Sequence, residues 1–471
     1  MADYIHIHPR DNVSVSLSNG HKTACACLQP GDAVIKYGLP IGHATAAIGI
    51  GEQVHTHNMA TNLKGTTEFT YQPDYQWPAP QTPATFLGYR RANGQVGIRN
   101  EIWIIPTVGC VNDVAKALAD SNQHLVTGNI DGLYAFQHPY GCSQTGADHA
   151  RTAKILANLA QHGNAGAVLI LGLGCENLTK DEFFTQLGDY DPNRVQYLSC
   201  QSVPDEMAAG RECLARCAQY AAGFAREPID ASQLVVGMKC GGSDGFSGIT
   251  ANPVVGAFSD QLIAQGGSTL LTEVPEMFGA EQLLLNRCID RTVFSKAATM
   301  VDDFRAYYLR HGESIADNPS PGNHAGGITT LEEKSCGCVQ KGGTAPITDV
   351  LAYGDRVRRK GLQLLSGPGN DLVSTTALTA AGCHLILFTT GRGTPFGAPA
   401  PTIKIASNHT LAQQKPGWID FDASVVMEGI PTGQCGEDLM ALVLAVASGK
   451  QTRTEIMGYR SIAIFKDGVT L

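Results

Sequence analysis

The chain has 471 residues, 43% of them hydrophobic and 16% charged, with a formal net charge of −9. That length exceeds one ordinary core, so more than one domain is expected, and the composition is that of a folded globular protein. The acidic balance excludes a surface for nucleic acid or anionic membrane, yet leaves room for a small anionic ligand held by a local group of donors.

The first residues, "MADYIHIHPRDNVSVSL", alternate and stay polar, without the apolar core or cleavage pattern of a signal peptide. No apolar run approaches the ~18 residues of a membrane span. The expected location is cytoplasmic, with no membrane or nucleic-acid partner. In that compartment the fourteen cysteines should be reduced thiols rather than a disulfide framework.

Residues 1–75 read as a small β domain. "NVSVSLSNG" alternates and closes on Asn-Gly, a hairpin signal. "DAVIKYGLPIGHATAAIGIGEQVHTHN" continues as short runs cut by glycines. Two histidine pairs fall here, His6 with His8 and His55 with His57, and on an extended chain alternate side chains share a face. The first pair lies in the opening strand, where packing is its expected use. The second follows a strand; with the Asn58 amide beside them, His55 and His57 suit a divalent iron, manganese or zinc ion. Lys36 and Tyr37 stand just before a glycine in the same domain. A lysine near a metal and an anionic substrate could act as a base, against the plainer reading of a solvated strand lysine.

Residues 76–90 belong to a proline-rich stretch read as a linker or surface strap. Beyond it the texture is α/β, with a second domain over 91–230 and a third over 231–471. "EIWIIPTVGC", "NAGAVLILGLGCEN", "QLVVGMKCGGSDG", "GSTLLTEVPEMFGAE" and "GCHLILFTTGRGTPFG" are buried-strand runs that empty into glycine with Cys, Asp, Glu or Arg. Asn112 is the expected N-cap of the helix after the first of them. Cys213 and Cys217, four apart on a helical pattern, should simply pack.

Ligands of open α/β sheets bind beyond the carboxyl ends of the strands. The candidates gathered there are Cys110, Cys142, Cys175, Cys240, Ser243, Asp244, Glu273, Glu276, Glu281 and Arg392. Arg392 sits in a glycine loop and could pair with a substrate carboxylate. Carboxylates at a strand-to-helix junction, as around Glu276, are common for dipole reasons alone. The four thiols lack C-x-x-C spacing. No G-x-G-x-x-G opens a helix with a following acid, so a dinucleotide is not expected.

The strings "VIKYGLPIGHA", "HTHN", "RANGQVGIRNE", "PTVGCVN", "HPYGCSQ", "GLGCEN", "KCGGSDGFSGITANPVVG", "LTEVPEMFGAEQLL", "NPSPGNHAGGITTLEEKS" and "TTGRGTP" resemble the altronate/galactarate dehydratase family along essentially the whole chain. The resemblance implies an α/β multidomain protein, with an N-terminal SAF-type β-clip domain followed by α/β domains with mainly parallel sheets. It implies a metal-dependent hydro-lyase that converts D-altronate to 2-dehydro-3-deoxy-D-gluconate in hexuronate breakdown. Galactarate or a related sugar acid is the alternative substrate, and a sugar-acid-binding regulatory protein the alternative function. Such a reaction removes the proton alpha to a carboxylate and expels the 3-hydroxyl, which calls for a base, an acid and a cation.

In that frame His21 in "NGHK" joins His55 and His57 as expected metal ligands, while the "HIH" pair falls outside the family pattern. Lys36, Tyr37 and Glu276 are the expected acid–base groups, and Asn58, Arg392, Ser243 and Asp244 the expected substrate contacts. Oxygen-rich substrate with imidazole ligands favours Fe(II), with Mn(II) as substitute. An iron–sulfur cluster on Cys110, Cys142, Cys175 and Cys240 is the alternative. A homo-oligomer, a dimer, is expected. Two departures from the pattern are Cys336 in "KSCGCVQ" and a short hairpin loop at "SLSNGHK".

Overall fold

The computed structural model describes residues 4–63 and 68–471. Strands Tyr4–Ile5, Val13–Ser16, Lys22–Ala24 and Gln53–Val54 form one antiparallel sheet, and Ala33–Lys36, Leu39–Ala44 and Met59–Ala60 a second. The alternation in Val13–Ser16 turns Val13 and Val15 inward and the serines partly outward, as a sheet with one wet face requires. Val13, Ala24, Val34, Ile41, Ala44, Val54 and Met59 close a small core between the two sheets. The hairpin expected at Asn-Gly is present, and Gly20 takes the left-handed conformation (φ 75°) that its turn needs.

Residues 68–84 carry no regular structure. They cross the third domain as a strap, tied by Asp74 N–H to Asn286 O (2.7 Å) and Gln81 N–H to Ala264 O (2.8 Å). Thr85–Arg90 then pairs antiparallel with Glu227–Asp230.

The second domain is a four-stranded parallel sheet in the order Gly132–Ala135, Glu101–Pro106, Ala165–Gly172, Val195–Ser199. The two central strands are buried throughout, which explains why they read as unbroken apolar runs. Hydrophobic clusters on both faces pack Gly146–Ala160 and Lys180–Leu187 on one side and Asn112–Ser121 and Glu206–Ala221 on the other. Cys213 and Cys217 are buried in the latter helix, as their spacing suggests. Asn112 differs from expectation: its amide donates to His138 O (2.9 Å) and leaves the helix without a side-chain cap.

The third domain holds seven parallel strands in the order Ile347–Leu351, Gly361–Leu365, Ser268–Leu271, Val235–Cys240, Leu385–Thr390, Thr402–Ala406, Phe421–Asp422. Chain order reverses between Val235–Cys240 and Leu385–Thr390. That switch point opens a crevice at the carboxyl ends of both strands. The fold class expected from the sequence, a SAF-type β domain followed by α/β domains with mainly parallel sheets, is the one found. Among the described residues no helix is long and apolar enough to cross a membrane.

The N-terminal domain docks on helix Leu331–Cys338. Lys22 and Lys36 both reach the Glu333 carboxylate (2.7 and 2.9 Å), all three fully buried. Thr61 and the Asn62 N–H bind Glu332. These contacts carry the β domain over the mouth of the crevice.

Candidate functional site

The floor of the crevice comes from the two strand ends at the switch point. Residues 241–247 leave Cys240, and Gly391 and Arg392 leave Thr390, with both N–H groups donating to Gly242 O (3.0 Å each). A Cβ on Gly391 would lie 2.2 Å from the Asp244 carboxyl carbon, so only glycine lets these loops close. Arg392 is exposed, and its guanidinium has no partner among the described residues. The Ser243 hydroxyl is buried and unpartnered. Both are free for a ligand. Asp244 is not: Ser247, Phe246, Ser407 and Asn408 take up its two oxygens. The Asn58 amide is likewise committed, accepting from His55 N–H (2.9 Å) and donating to Gln53 O (2.9 Å).

The β domain forms the roof. The strand before "HTHN" ends at Val54, and His55–Asn58 form a turn rather than an extended run. The two imidazoles therefore diverge. His57 points to solvent, while His55 faces His21 (ring centroids 5.4 Å apart) and His324 of the third domain (6.1 Å). Three imidazoles from two domains thus meet where sequence spacing had paired His55 with His57. The Nε2 atoms of His21 and His324 have no protein partner among the described residues; their Nδ1 atoms meet Gln53 and Ile328 O. His55 Nε2 contacts His324 O (3.0 Å). Burial lowers the His55 pKa, with Lys22 adding to the effect.

Lys36 sits below them. Burial alone would lower its pKa, but Glu333 outweighs it and the pKa rises. Lys36 is therefore an ammonium held by Glu333, where the sequence led to the expectation of a lysine base. Tyr37 adopts φ 62° and lies against Gly248, and burial pushes its phenol up to about 12. Both are proton donors at neutral pH.

Deeper in the third domain Cys240, Glu276 and Cys338 bring their ligand atoms within 4.8 Å of one another, the one such group of three among the described residues. Cys240 Sγ and Cys338 Sγ are 3.3 Å apart, and Cys338 Sγ lies 3.2 Å from Glu276 Oε2. The hydrogen bond from Cys338 lowers the Cys240 thiol to about 5 and raises that of Cys338. Burial would raise Glu276, but Lys334 (2.8 Å), Lys239 and Lys341 hold it at about 2. The group could take a metal ion. Three buried ammoniums already balance its anions, however, so a divalent cation there would meet strong repulsion. Glu276 and Lys334 also line a cleft of about 410 Å³ with Asn318, Gly369 and Asn370.

His324, Glu333, Lys334 and Cys338 were not singled out by sequence reasoning, although all lie in or beside "NPSPGNHAGGITTLEEKS". The string carried a signal only as a whole, because its residues gain roles from contacts with strands distant in sequence. The four loop thiols separate: Cys240 is buried in the third domain, while Cys110, Cys142 and Cys175 are exposed on the second.

Comparisons with known proteins match this division of the chain. Residues 16–62 match the altronate/galactarate dehydratase SAF domain. Residues 88–222 match the second domain of D-galactarate dehydratase/altronate hydrolase, and 231–470 the C-terminal domain of D-galactarate/altronate dehydratase. The chain is 50% identical to altronate dehydratase of Escherichia coli K12 over 99% of its own length and all of the relative's. It is 48% identical to altronate dehydratase of Bacillus subtilis 168 over the full length of both. Identity to the L-threo-forming galactarate dehydratase of Escherichia coli K12 is 32%, over 96% of this chain and 94% of that one.

Proposed function

The chain belongs to the altronate/galactarate dehydratase family, and from that premise we propose that it is a metal-dependent hydro-lyase acting on D-altronate. The observation that carries the substrate is the full-length identity of 50% and 48% to two altronate dehydratases, against 32% to a galactarate dehydratase. Loss of water across C2 and C3 of an aldonate gives an enol that ketonises. From D-altronate the product is 2-dehydro-3-deoxy-D-gluconate.

In this reading the substrate lies in the crevice with its carboxylate on the unpaired Arg392 guanidinium and an oxygen within reach of the Ser243 hydroxyl. Glu276 is the carboxylate assigned to take the C2 proton; Lys334, Lys239 and Lys341 hold it at about 2, so bound substrate must first draw part of that positive charge to itself. The Lys36–Tyr37 pair, protonated at neutral pH, supplies the proton that leaves with the 3-hydroxyl. His21, His55 and His324 would be the donors for a ferrous ion, with Mn(II) as substitute, since imidazole fits these metals and two Nε2 atoms are free; their ring nitrogens do not lie within 4.8 Å of one another and must draw together to share one ion. When bound, the ion stabilises negative charge on the substrate's carboxylate and 2-oxygen. The β domain excludes bulk water from the crevice, which strengthens every one of these interactions.

The test is turnover of an anaerobic preparation, stripped of metal and reloaded with Fe(II) or Mn(II), on altronate, galactarate and related sugar acids. Dehydration of altronate well ahead of the others, lost on chelation and restored by Fe(II), is expected. Preference for galactarate would overturn the substrate, and full activity after chelation the metal.

A further inference from the structure

The second domain carries a feature that this chemistry does not use. Three of its adjacent parallel strands leave the sheet toward a Gly-Cys pair: Gly109-Cys110 after Glu101–Pro106, Gly141-Cys142 after Gly132–Ala135, and Gly174-Cys175 after Ala165–Gly172. Cysteine is among the residues most often buried, yet all three thiols are exposed. Among the described residues none is in a disulfide, and no charged side chain forms a hydrogen bond with them.

The loops are built to converge. Gly109 N–H donates to Tyr140 O (2.8 Å), Leu178 N–H to Gly141 O (3.1 Å), and Ser143 N–H to Asn177 Oδ1 (2.7 Å). Glu176, next to Cys175, accepts from Thr107 Oγ1 (2.8 Å) and from the Gly174 N–H (2.5 Å). That carboxylate therefore ties the Cys175 loop to the strand end before Cys110. The glycines are required: a Cβ on Gly141 would lie 1.9 Å from Thr107 O, and one on Gly109 2.9 Å from His138 O. Ser143, beside Cys142, holds φ 57°, a conformation costly for a residue with a side chain. Backbone is pressed against backbone so that the three cysteine loops meet at the carboxyl edge of a parallel sheet, where such folds bind ligands.

We propose that Cys110, Cys142 and Cys175 hold an iron–sulfur cluster of the 4Fe–4S type. An all-thiolate set selects soft metals and clusters over Mg, Ca or Mn. A single zinc ion, with Zn–S of about 2.3 Å, draws its thiolates to roughly 4 Å apart and wants a fourth ligand. The three sulfurs do not lie within 4.8 Å of one another, and a cubane bridges the wider spacing with its own atoms. Three thiolates leave one iron without a protein ligand, open to water or a hydroxy-acid oxygen. Cys240 is no part of the set. A further thiol of the same domain, Cys200 at the end of Val195–Ser199, is half-buried, and burial with Glu206 pushes it up to about 11, away from the thiolate form.

The test is iron and acid-labile sulfide in the full chain, prepared anaerobically and reconstituted with ferrous iron and sulfide. Near-equal iron and sulfide with a broad visible absorption band is expected. Cys110→Ser, Cys142→Ser or Cys175→Ser should each cut bound sulfide about tenfold or more, while Cys240→Ser and Cys213→Ser retain it. Circular dichroism separates loss of the cluster from loss of the fold. Iron without sulfide, or sulfide retained in all three variants, would overturn the proposal. Because sulfide is read without turnover, this failure is distinct from failure of the altronate reading.

Discussion

Arg392 is exposed at the switch point and its guanidinium has no partner among the described residues, so its removal disturbs no buried pair there. A charge-assisted pair is worth about 1.5–3 kcal/mol, so Arg392→Ala should lower kcat/KM by roughly 10- to 100-fold, mainly through KM, with unchanged melting temperature. Kinetics and a melting curve on one preparation check it, and an unchanged KM removes Arg392 from the carboxylate site. The histidines give a sharper contrast. His55→Ala and His324→Ala should each weaken metal binding at the roof, whereas His57→Ala, at an exposed turn, should not. Metal titration of the three variants reads this directly. If His57→Ala is the damaging one, the turn opens differently with metal and the His324 assignment fails.

Helix Leu331–Cys338 is the element on which the two domains meet, and each of its turns presents a different group. Thr330 caps it through Glu333 N–H, Glu333 faces Lys22 and Lys36, Lys334 faces Glu276, and Cys338 faces Cys240. One carboxylate serves two ammoniums, so the pair does not balance evenly. Burial lowers Lys22 to about 8, while Glu333 is held at about 2 by Lys22 and Lys36 against the opposing effect of burial. Glu333→Ala leaves two buried cations uncompensated and should cost about 3–5 kcal/mol. Lys22→Met, which leaves Glu333 paired with Lys36, should cost less. Denaturant unfolding of both variants decides it, and equal losses would show that the carboxylate is not the shared partner. This helix also marks how far sequence reading reached. The buried strands were legible because parallel sheets demand unbroken apolar runs, and so was the placement of Arg392 and Ser243 in loops at strand ends. His324 and Glu333 were not, since their partners lie some 270–310 residues away in sequence. The turn that separates His55 from His57 was not legible either, because the strand ends at Val54, a boundary that spacing alone does not show.

Across the whole molecule the domains are joined by buried ions as well as by apolar contacts that cross between them, with Ala380, Ile462 and Ile464 packed into the second domain's core and Phe246 and Ile249 against Val15 of the β domain. Glu333 anchors the β domain, and Glu455 of the third domain meets Arg99 of the second (2.8 Å), with Arg460 bridging Glu455 and Glu101. Burial raises the Glu101 carboxyl, so that group does not oppose protonation. Glu333 and Glu455 behave otherwise: burial would raise them, but their cations outweigh it and both carboxyls are lowered. A carboxyl held low in the folded state contributes stability above its ordinary value of 4.5, and that stability is lost as pH falls toward its folded value, about 2 for Glu333. Acid should therefore undock the domains between about pH 4.5 and about 2. The sheets of the second and third domains, held by apolar clusters with no need of ionised carboxylates, should outlast the docking. Scattering should then report an expanded particle while far-ultraviolet circular dichroism remains near native. Salt should widen the difference little, since the pairs are buried and poorly screened. Expansion and loss of secondary structure at one and the same pH would show that the domains are held by their shared apolar surface instead, and that the buried ions only orient them.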